Sequence, residues 1–448
     1  MKSLLSLTQE LNAGLTKSRD LVEKSLSKIK DPKGEGKRVI LKLHEKDARK
    51  TADTIDKRRS KFGSASPLDG LVVSVKDLFD VAGDVTTAGS LLLRKKPPAQ
   101  QDAELVGRLR NAGAIVIGRT NMTEFAFSGL GLNPHYGTPK NPWDRKIGRI
   151  PGGSSAGAAV SVTDGMANFA LGSDTGGSVR IPASLCGLTG FKPTTKRMSA
   201  KGIYPLVRSL DAGGPLAPTV DCCAIIDAVL AGEEIVLPDS TSINGLKLAI
   251  PQTLVLDDLD LHTAKTFEKT LTKLDKAGAI ISEIKFKELG KIPEINSKGE
   301  IYAEAFAFHR KQISENGDQY DPRVKSRILR FKNLSAADYI DALTARQNLI
   351  KKANAITKPF NAIILPTTAI VAPPIKALEK SEELYLTKNK TILRNTFCFN
   401  FLDRCALSIP MQNKGDPPVG IMVVGETMGD RNLFFVGRSI EKTLHNQC

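Results

Sequence analysis

The chain has 448 residues, 41% of them hydrophobic and 25% charged, a composition ordinary for a soluble globular protein that excludes a disordered or low-complexity chain. No run approaches the roughly 20 apolar residues of a membrane span, and the opening stretch MKSLLSLTQELNAG carries no signal-peptide pattern. The net charge of +16 admits nucleic-acid binding, but the lysines are scattered among acidic residues and no nucleic-acid motif accompanies them, so it is read as a solvated basic surface.

Apolar residues at helical spacing predict helices over Leu15–Ile29 and Lys46–Lys61. Gly70 opens the apolar run Leu71–Val75, a buried strand ending at Lys76, and the turn-rich stretch Asp80–Ser90 follows. A helix from Ala103 to Ala112 precedes the run Ala114–Ile117, and another buried strand is expected at Phe169–Leu171. Later strands are expected at Lys247–Ile250, Ala279–Phe286, Ala362–Leu365, Ala406–Ile409 and Gly420–Val424. Between them lie helices at Thr263–Lys276 and Asp338–Ala355, the second with a stripe at Tyr339, Leu343, Arg346 and Ile350. Strands alternating with helices predict an α/β layer architecture, with a mostly parallel or mixed sheet covered by helices on both faces. The length exceeds the roughly 250–300 residues at which single cores stop growing. No linker stands out, however, beyond a surface excursion at Pro238–Ile243. The expectation is one compact unit, with an N-terminal helical segment (1–62) packed on a core of 63–448.

Two glycine–serine turns carry the chemistry: Gly152-Gly153-Ser154-Ser155 and, 24 residues on, Gly176-Gly177-Ser178. Glycine permits positive φ and close backbone approach, so consecutive amides in the second turn can point into one cavity. At the start of a short helix such donors suit a developing oxyanion. The Ser178 hydroxyl alone would be inert. A neutral lysine acting through a second serine can take its proton, with no histidine required. Lys76 fits that role only if its pKa falls several units below about 10.4, the direction in which desolvation moves it. Taken singly, either turn reads as a plain turn or a phosphate cradle. GGSSAG lacks GxxxxGK[ST], and neither turn gives GxGxxG in a dinucleotide context.

The run GGSSAG, followed by GSDTGGSVRIPASLCGLTGFKPT from Gly172 to Thr194, resembles the amidase signature family. Pro67–Asp77, Gly118–Phe125, Asn400, Ser408–Pro410 and Pro418–Gly420 extend the likeness over roughly residues 60–440. The resemblance implies an α/β amidase fold and hydrolysis of a carboxylic amide to acid and ammonia through an acyl-enzyme, with no cofactor and no metal. It implies Ser178 as nucleophile, Ser154 as a bridging serine held by a cis peptide bond, and Lys76 as base. The amides of Thr175, Gly176, Gly177 and Ser178 would form the oxyanion hole, supported by Ser155 and Asp174. Arg346 interrupts an apolar stripe, and its context resembles the family helix whose arginine binds a substrate carboxylate.

Two functions fit the resemblance: a stand-alone amidase, or the glutaminase (A) subunit of a glutamyl-tRNA(Gln)/aspartyl-tRNA(Asn) amidotransferase. In Leu393-Arg394-Asn395-Thr396, Leu393 stands where that subunit has the aspartate for the glutamine ammonium. Ile301–Phe306 matches its tyrosine-rich segment only loosely, and Asn400–Ala406 is closer to stand-alone amidases. An ammonium without a carboxylate partner is costly to desolvate. The expectation is therefore a stand-alone enzyme acting on a small-molecule amide, without a membrane, and meeting nucleic acid only within a tRNA amidotransferase complex. A homodimer is compatible with this. Cys186, Cys222, Cys223, Cys398, Cys405 and Cys448 form no CxxC pair and read as reduced thiols of a cytoplasmic protein. His44, His135, His262, His309 and His445 show no metal-ligand spacing. Trp143 fits either a pocket wall or simple packing.

Overall fold

The apolar runs of the sequence become the interior of one eleven-stranded sheet. The computed structural model describes residues 1–237 and 242–445, so residues 238–241 of the expected excursion, and Cys448, lie outside the described residues. The strands are β1 (Ile40–Leu43), β2 (Val72–Lys76), β3 (Ile115–Thr120), β4 (Phe169–Asp174), β5 (Thr189–Lys192) and β6 (Ala212–Ala217). They continue as β7 (Lys247–Pro251), β8 (Ile280–Ile284), β9 (Ala362–Pro366), β10 (Ala406–Pro410) and β11 (Gly420–Val424). Their spatial order is β1-β3-β2-β4-β6-β5-β10-β11-β9-β7-β8.

The sheet is mixed. β2 runs parallel to β3 and β4, and β7 runs parallel to β8 and β9. All other pairs are antiparallel. Parallel neighbours in sequence need a crossover, and the helices Glu104–Asn111, Ala156–Thr163 and Leu261–Lys276 supply it for β2–β3, β3–β4 and β7–β8. Every residue of β2 and β4 is buried, as near-continuous apolar runs require when helices cover both faces. Lys76 and Asp174 are the last residues of these two adjacent parallel strands and so lie at the same edge of the sheet. In open α/β sheets that is the end where ligand sites form.

The sequence pattern misses β1, β5 and β6. β6 reads AGGPLA, a composition poor in strand formers. Its glycines answer a steric demand from the neighbouring strand: a Cβ at Gly214 would sit 2.2 Å from the Phe191 carbonyl oxygen. The helix Ala156–Thr163 is equally tight, since a Cβ at Gly157 would lie 2.7 Å from the backbone of Asn121. In the helix Ala336–Thr357 the fully buried line is Ala342, Leu349, Ala353 and Thr357. The expected stripe of Tyr339, Leu343, Arg346 and Ile350 is only half-buried, because the alanines allow the closer approach on the adjacent face. The N-terminal helices Leu4–Asn12, Ser18–Lys30 and Glu45–Phe62 flank β1, which pairs antiparallel with β3 at the sheet edge. Among the described residues no helix is long and apolar enough to cross a membrane. The five described cysteines are free and buried.

Replacing Gly214 by alanine should force β6 away from β5. A loss of about 1–3 kcal/mol is expected, read as a lower urea midpoint.

Candidate active site

Lys76 closes β2 with its side chain fully buried. Its Nζ donates to Ser154 Oγ at 2.7 Å and to Ser173 Oγ at 2.8 Å. Burial drives its pKa down to about 7, against the opposing pull of the Asp174 and Asp211 carboxylates. A large fraction of the amine is thus neutral near neutral pH, which an exposed lysine never achieves. Ser173 was not singled out from the sequence. Its signal is slight: a serine beside an aspartate at the end of an otherwise apolar strand.

The first glycine–serine turn is threaded between β3 and the second turn. The Gly153–Ser154 peptide bond is cis. Gly153 N–H donates to the Gly129 carbonyl at 2.8 Å, and Thr123 N–H donates to the Ser154 carbonyl at 3.1 Å. Ser155 N–H donates to the Ser178 carbonyl at 3.2 Å, and Ser155 Oγ lies within hydrogen-bond distance of the Ser173 amide and carbonyl. Glycine is needed at 172 because a Cβ there would meet Ser155 Oγ at 2.9 Å. The two turns are therefore tied backbone to backbone, with Lys76 beneath them.

The second turn is organised by Asp174. Its Oδ1 accepts from Gly177 N–H, Arg180 Nη2 and Asn400 Nδ2 at 2.8–2.9 Å. Its Oδ2 accepts from Val179 N–H, Arg180 N–H and Arg180 Nε at 3.0–3.3 Å. Burial pushes this carboxyl up, but Arg180, Lys192 and Asn400 outweigh it and hold Asp174 well below the usual carboxylate range. From the C-terminal side, Thr396 Oγ1 donates to the Gly176 carbonyl at 2.7 Å. Gly177 has φ +130°, and a Cβ there would fall 2.1 Å from Thr396 Oγ1, so only glycine fits.

This geometry revises one expectation. Gly177 N–H already donates to Asp174 and does not face a substrate. The amides of Thr175, Gly176 and Ser178 have no acceptor among the described residues. Ser178 is 4% exposed, and its Oγ has no hydrogen-bond partner among the described residues. Ser154 and Lys76 are thus in contact, whereas Ser154 and Ser178 are joined through the backbone of Ser155 rather than by their hydroxyls.

Arg346 stands elsewhere than expected. Its Nε donates to the Phe401 carbonyl at 2.7 Å and its Nη2 to the Asn400 carbonyl at 3.4 Å. The last carbonyls of the helix Glu382–Phe401 lack intrahelical donors, and this arginine satisfies them. Its Nη1 has no hydrogen-bond partner among the described residues. Cys186 packs behind the first turn, its Sγ donating to the Pro151 carbonyl. Trp143 stacks under the Arg149 guanidinium, 4.6 Å from ring centroid to Cζ. His44 and His135 pair with Asp84 and Glu124, and His309 sits beside Tyr320.

Two further features were not legible in the sequence. Asp211, immediately before β6, accepts from Thr175 Oγ1 at 2.5 Å and from the amides of Leu206 and Val207. Burial raises its carboxyl to about 6, although hydrogen bonds from Thr175, Leu206 and Val207 pull the other way. An apolar wall stands over Gly176: Phe397, Leu393 and the Tyr302 hydroxyl lie 3.6–3.9 Å from where its Cβ would be. Tyr302 stacks between Phe331 and Phe397, with ring centroids 5.4 and 6.0 Å away.

Comparison with known proteins shows the family of the chain. A family model described as Amidase matches residues 20–434. The 2-amino-5-chloromuconic acid deaminase of Comamonas testosteroni is 35% identical over 406 residues, covering 88% of this chain and 86% of that protein. The glutamyl-tRNA(Gln) amidotransferase of Alkalilimnicola ehrlichii has an A-type subunit that is 30% identical over 486 residues, covering 98% of this chain and 97% of that protein. A crystal structure of an amidase superposes with a TM-score of 0.89 at 32% identity, covering 99% of this chain and 100% of that one.

The displaced pKa of Lys76 has a stability signature. Between about pH 7 and about 10.5 the unfolded chain holds a proton that the folded chain has released, so folding is favoured more as pH rises through that window. Relative to Lys76→Met, the melting temperature of the wild type should climb across it. Parallel curves would mean an amine of ordinary pKa.

Proposed function

The chain belongs to the amidase signature family and is an amidohydrolase acting on C–N bonds, and from that premise we propose that it hydrolyses a small carboxylic amide through Ser178, Ser154 and Lys76. The observation that carries this reading is the buried Lys76 amine, its pKa lowered to about 7, bonded to Ser154 on the turn tied to Ser178. Ser178 Oγ attacks the amide carbonyl as substrate draws it onto Ser154. Its proton passes to Ser154 Oγ while the Ser154 proton moves to Lys76 Nζ. The oxyanion gathers the amides of Thr175, Gly176 and Ser178, a kind of donor worth about 2.7–4 kcal/mol each in the transition state. Collapse breaks the C–N bond, the relay returns a proton to the departing nitrogen, and ammonia leaves. Water, deprotonated along the same path, then cleaves the acyl-enzyme to the acid.

The acyl side supports a stand-alone amidase rather than a glutaminase subunit. Leu393 and Phe397 lie beside Gly176, and the Asp211 carboxylate next to this turn is taken up by the Thr175 hydroxyl and the amides of Leu206 and Val207. Arg346, the residue that would meet a substrate carboxylate, is engaged by helix carbonyls. A neutral acyl group suits this wall. The five buried thiols fit a reducing, cytoplasmic setting.

The test is ammonia release by the purified chain alone over aliphatic, aromatic and amino-acid amides, L-glutamine included. Turnover of neutral amides well above glutamine is expected, with Ser178→Ala silent but folded. Serine-dependent release from glutamine alone would instead favour the amidotransferase reading. With a good substrate, kcat/KM should rise with pH through about 7 as Lys76 loses its proton. Lys76→Ala should lose orders of magnitude in acylation and that rise with it. A variant that keeps the rise would remove lysine from the base role.

A further inference from the structure

The ladder between β4 and β6 ends at the pair Asp174–Ala212. One residue beyond it on each strand stand Thr175 and Asp211, and their side chains make the next rung: Thr175 Oγ1 donates to Asp211 Oδ1 at 2.5 Å. Past that rung the chain runs free through Gly176-Gly177-Ser178. The far end of the turn is gripped by Asp174, through Gly177 and Val179 N–H, and its middle by Thr396 on the Gly176 carbonyl. The near end has this tie and a longer one, Asn400 Nδ2 donating to the Asp174 carbonyl at 3.4 Å.

Asp211 is itself built in. Its two oxygens accept from the amides of Leu206 and Val207, and its own N–H donates to the Val207 carbonyl at 2.8 Å. It forms no ion pair among the described residues, unlike Asp174, which has Arg180. This carboxylate therefore does two things, holding the 206–211 turn through two amides and accepting, without a cation, from a hydroxyl of the oxyanion turn.

We propose that Asp211 is a positioning residue for the oxyanion turn, acting through the Thr175 hydroxyl; this rests on the reading of Ser178 as the nucleophile. The bond fixes the rotation of the Thr175 peptide and hence the aim of the free Thr175 and Gly176 amides. Displacement of such a donor by about 1 Å costs up to about a hundredfold in rate. The same loop reaches outward, since Ser209 N–H donates to Glu304 Oε2 at 3.1 Å and Tyr339 OH to Glu304 Oε1 at 2.8 Å. Glu304 lies two residues from Tyr302, whose hydroxyl borders Gly176, so the turn and the acyl wall share one support.

The experiment uses the full chain, with benzamide and acetamide as probes, and four variants: Thr175→Val, Thr175→Ser, Asp211→Asn and the Thr175→Val/Asp211→Asn double. Thr175→Val removes the hydroxyl at nearly constant volume and should lower kcat by roughly tenfold to a hundredfold, with KM moved by less than about threefold. Thr175→Ser, which restores the donor, should recover most of kcat. The double variant should lose less than the product of the two single losses, because both changes act on the same bond. Wild-type kcat in Thr175→Val, or losses that multiply in the double, would overturn the proposal. Should Asp211→Asn fail to fold, the valine–serine pair decides alone. A Ser178→Ala protein that still turns over would sink the parent reading; a silent one beside a fully active Thr175→Val would sink only the positioning role.

Discussion

The site depends on keeping the Asp174 carboxylate ionised in the interior. A buried charge is tolerated only when paired and fully hydrogen-bonded, and Asp174 meets both conditions through Arg180, Asn400 and three backbone amides. Those bonds fold the chain after β4 into a tight turn and start the helix Arg180–Cys186. They also aim the remaining amides away from the carboxylate. The same charge acts on Lys76, favouring its protonated form, while burial acts against it. The amine stays near neutrality because burial wins by a limited margin. A deeper site would leave a poor proton carrier, and a more open one a permanent cation.

One helix face serves two purposes. Leu393, Thr396, Phe397 and Asn400 are spaced three and four apart in the helix Glu382–Phe401, so they share a side. Thr396 and Asn400 brace the turn, through the Gly176 carbonyl and the Asp174 carboxylate. Leu393 and Phe397 form the apolar wall beside it. Leu393 also approaches Gly129, where a Cβ would touch it at 3.0 Å, and Gly129 holds the first turn through Gly153. The apolar wall and the geometry of the turn are set by the same helix.

The sequence discloses what is local. Apolar runs mark β2, β3, β4, β7 and β9–β11, because burial on both faces leaves no room for polar residues. The glycine–serine turns and the lysine after β2 mark the site, since each needs a particular residue at a particular place. What stays hidden is set by partners distant in the chain. β6 looks like a loop because its glycines answer the backbone of Phe191. Gly177 looks like an oxyanion donor until the position of Asp174 Oδ1 is known. Arg346 looks like a ligand contact because nothing nearby in sequence reveals the carbonyls of residues 400 and 401. Asp211 carries no pattern at all.

The link between Asp174 and Asn400 spans 226 positions of the chain. Contacts of such separation carry a loop-closure cost that local structure must offset before they form. Strands β2, β3 and β4 follow one another along the chain and can associate early, bringing Lys76 and both glycine–serine turns into one neighbourhood. Arg180 would then be present without Asn400, and Gly176 without Thr396. Such an intermediate holds the reactive side chains but not the braces that orient the amides around them. The braces of the turn thus come from the far half of the chain, and the site is whole only with the helix Glu382–Phe401 docked against it.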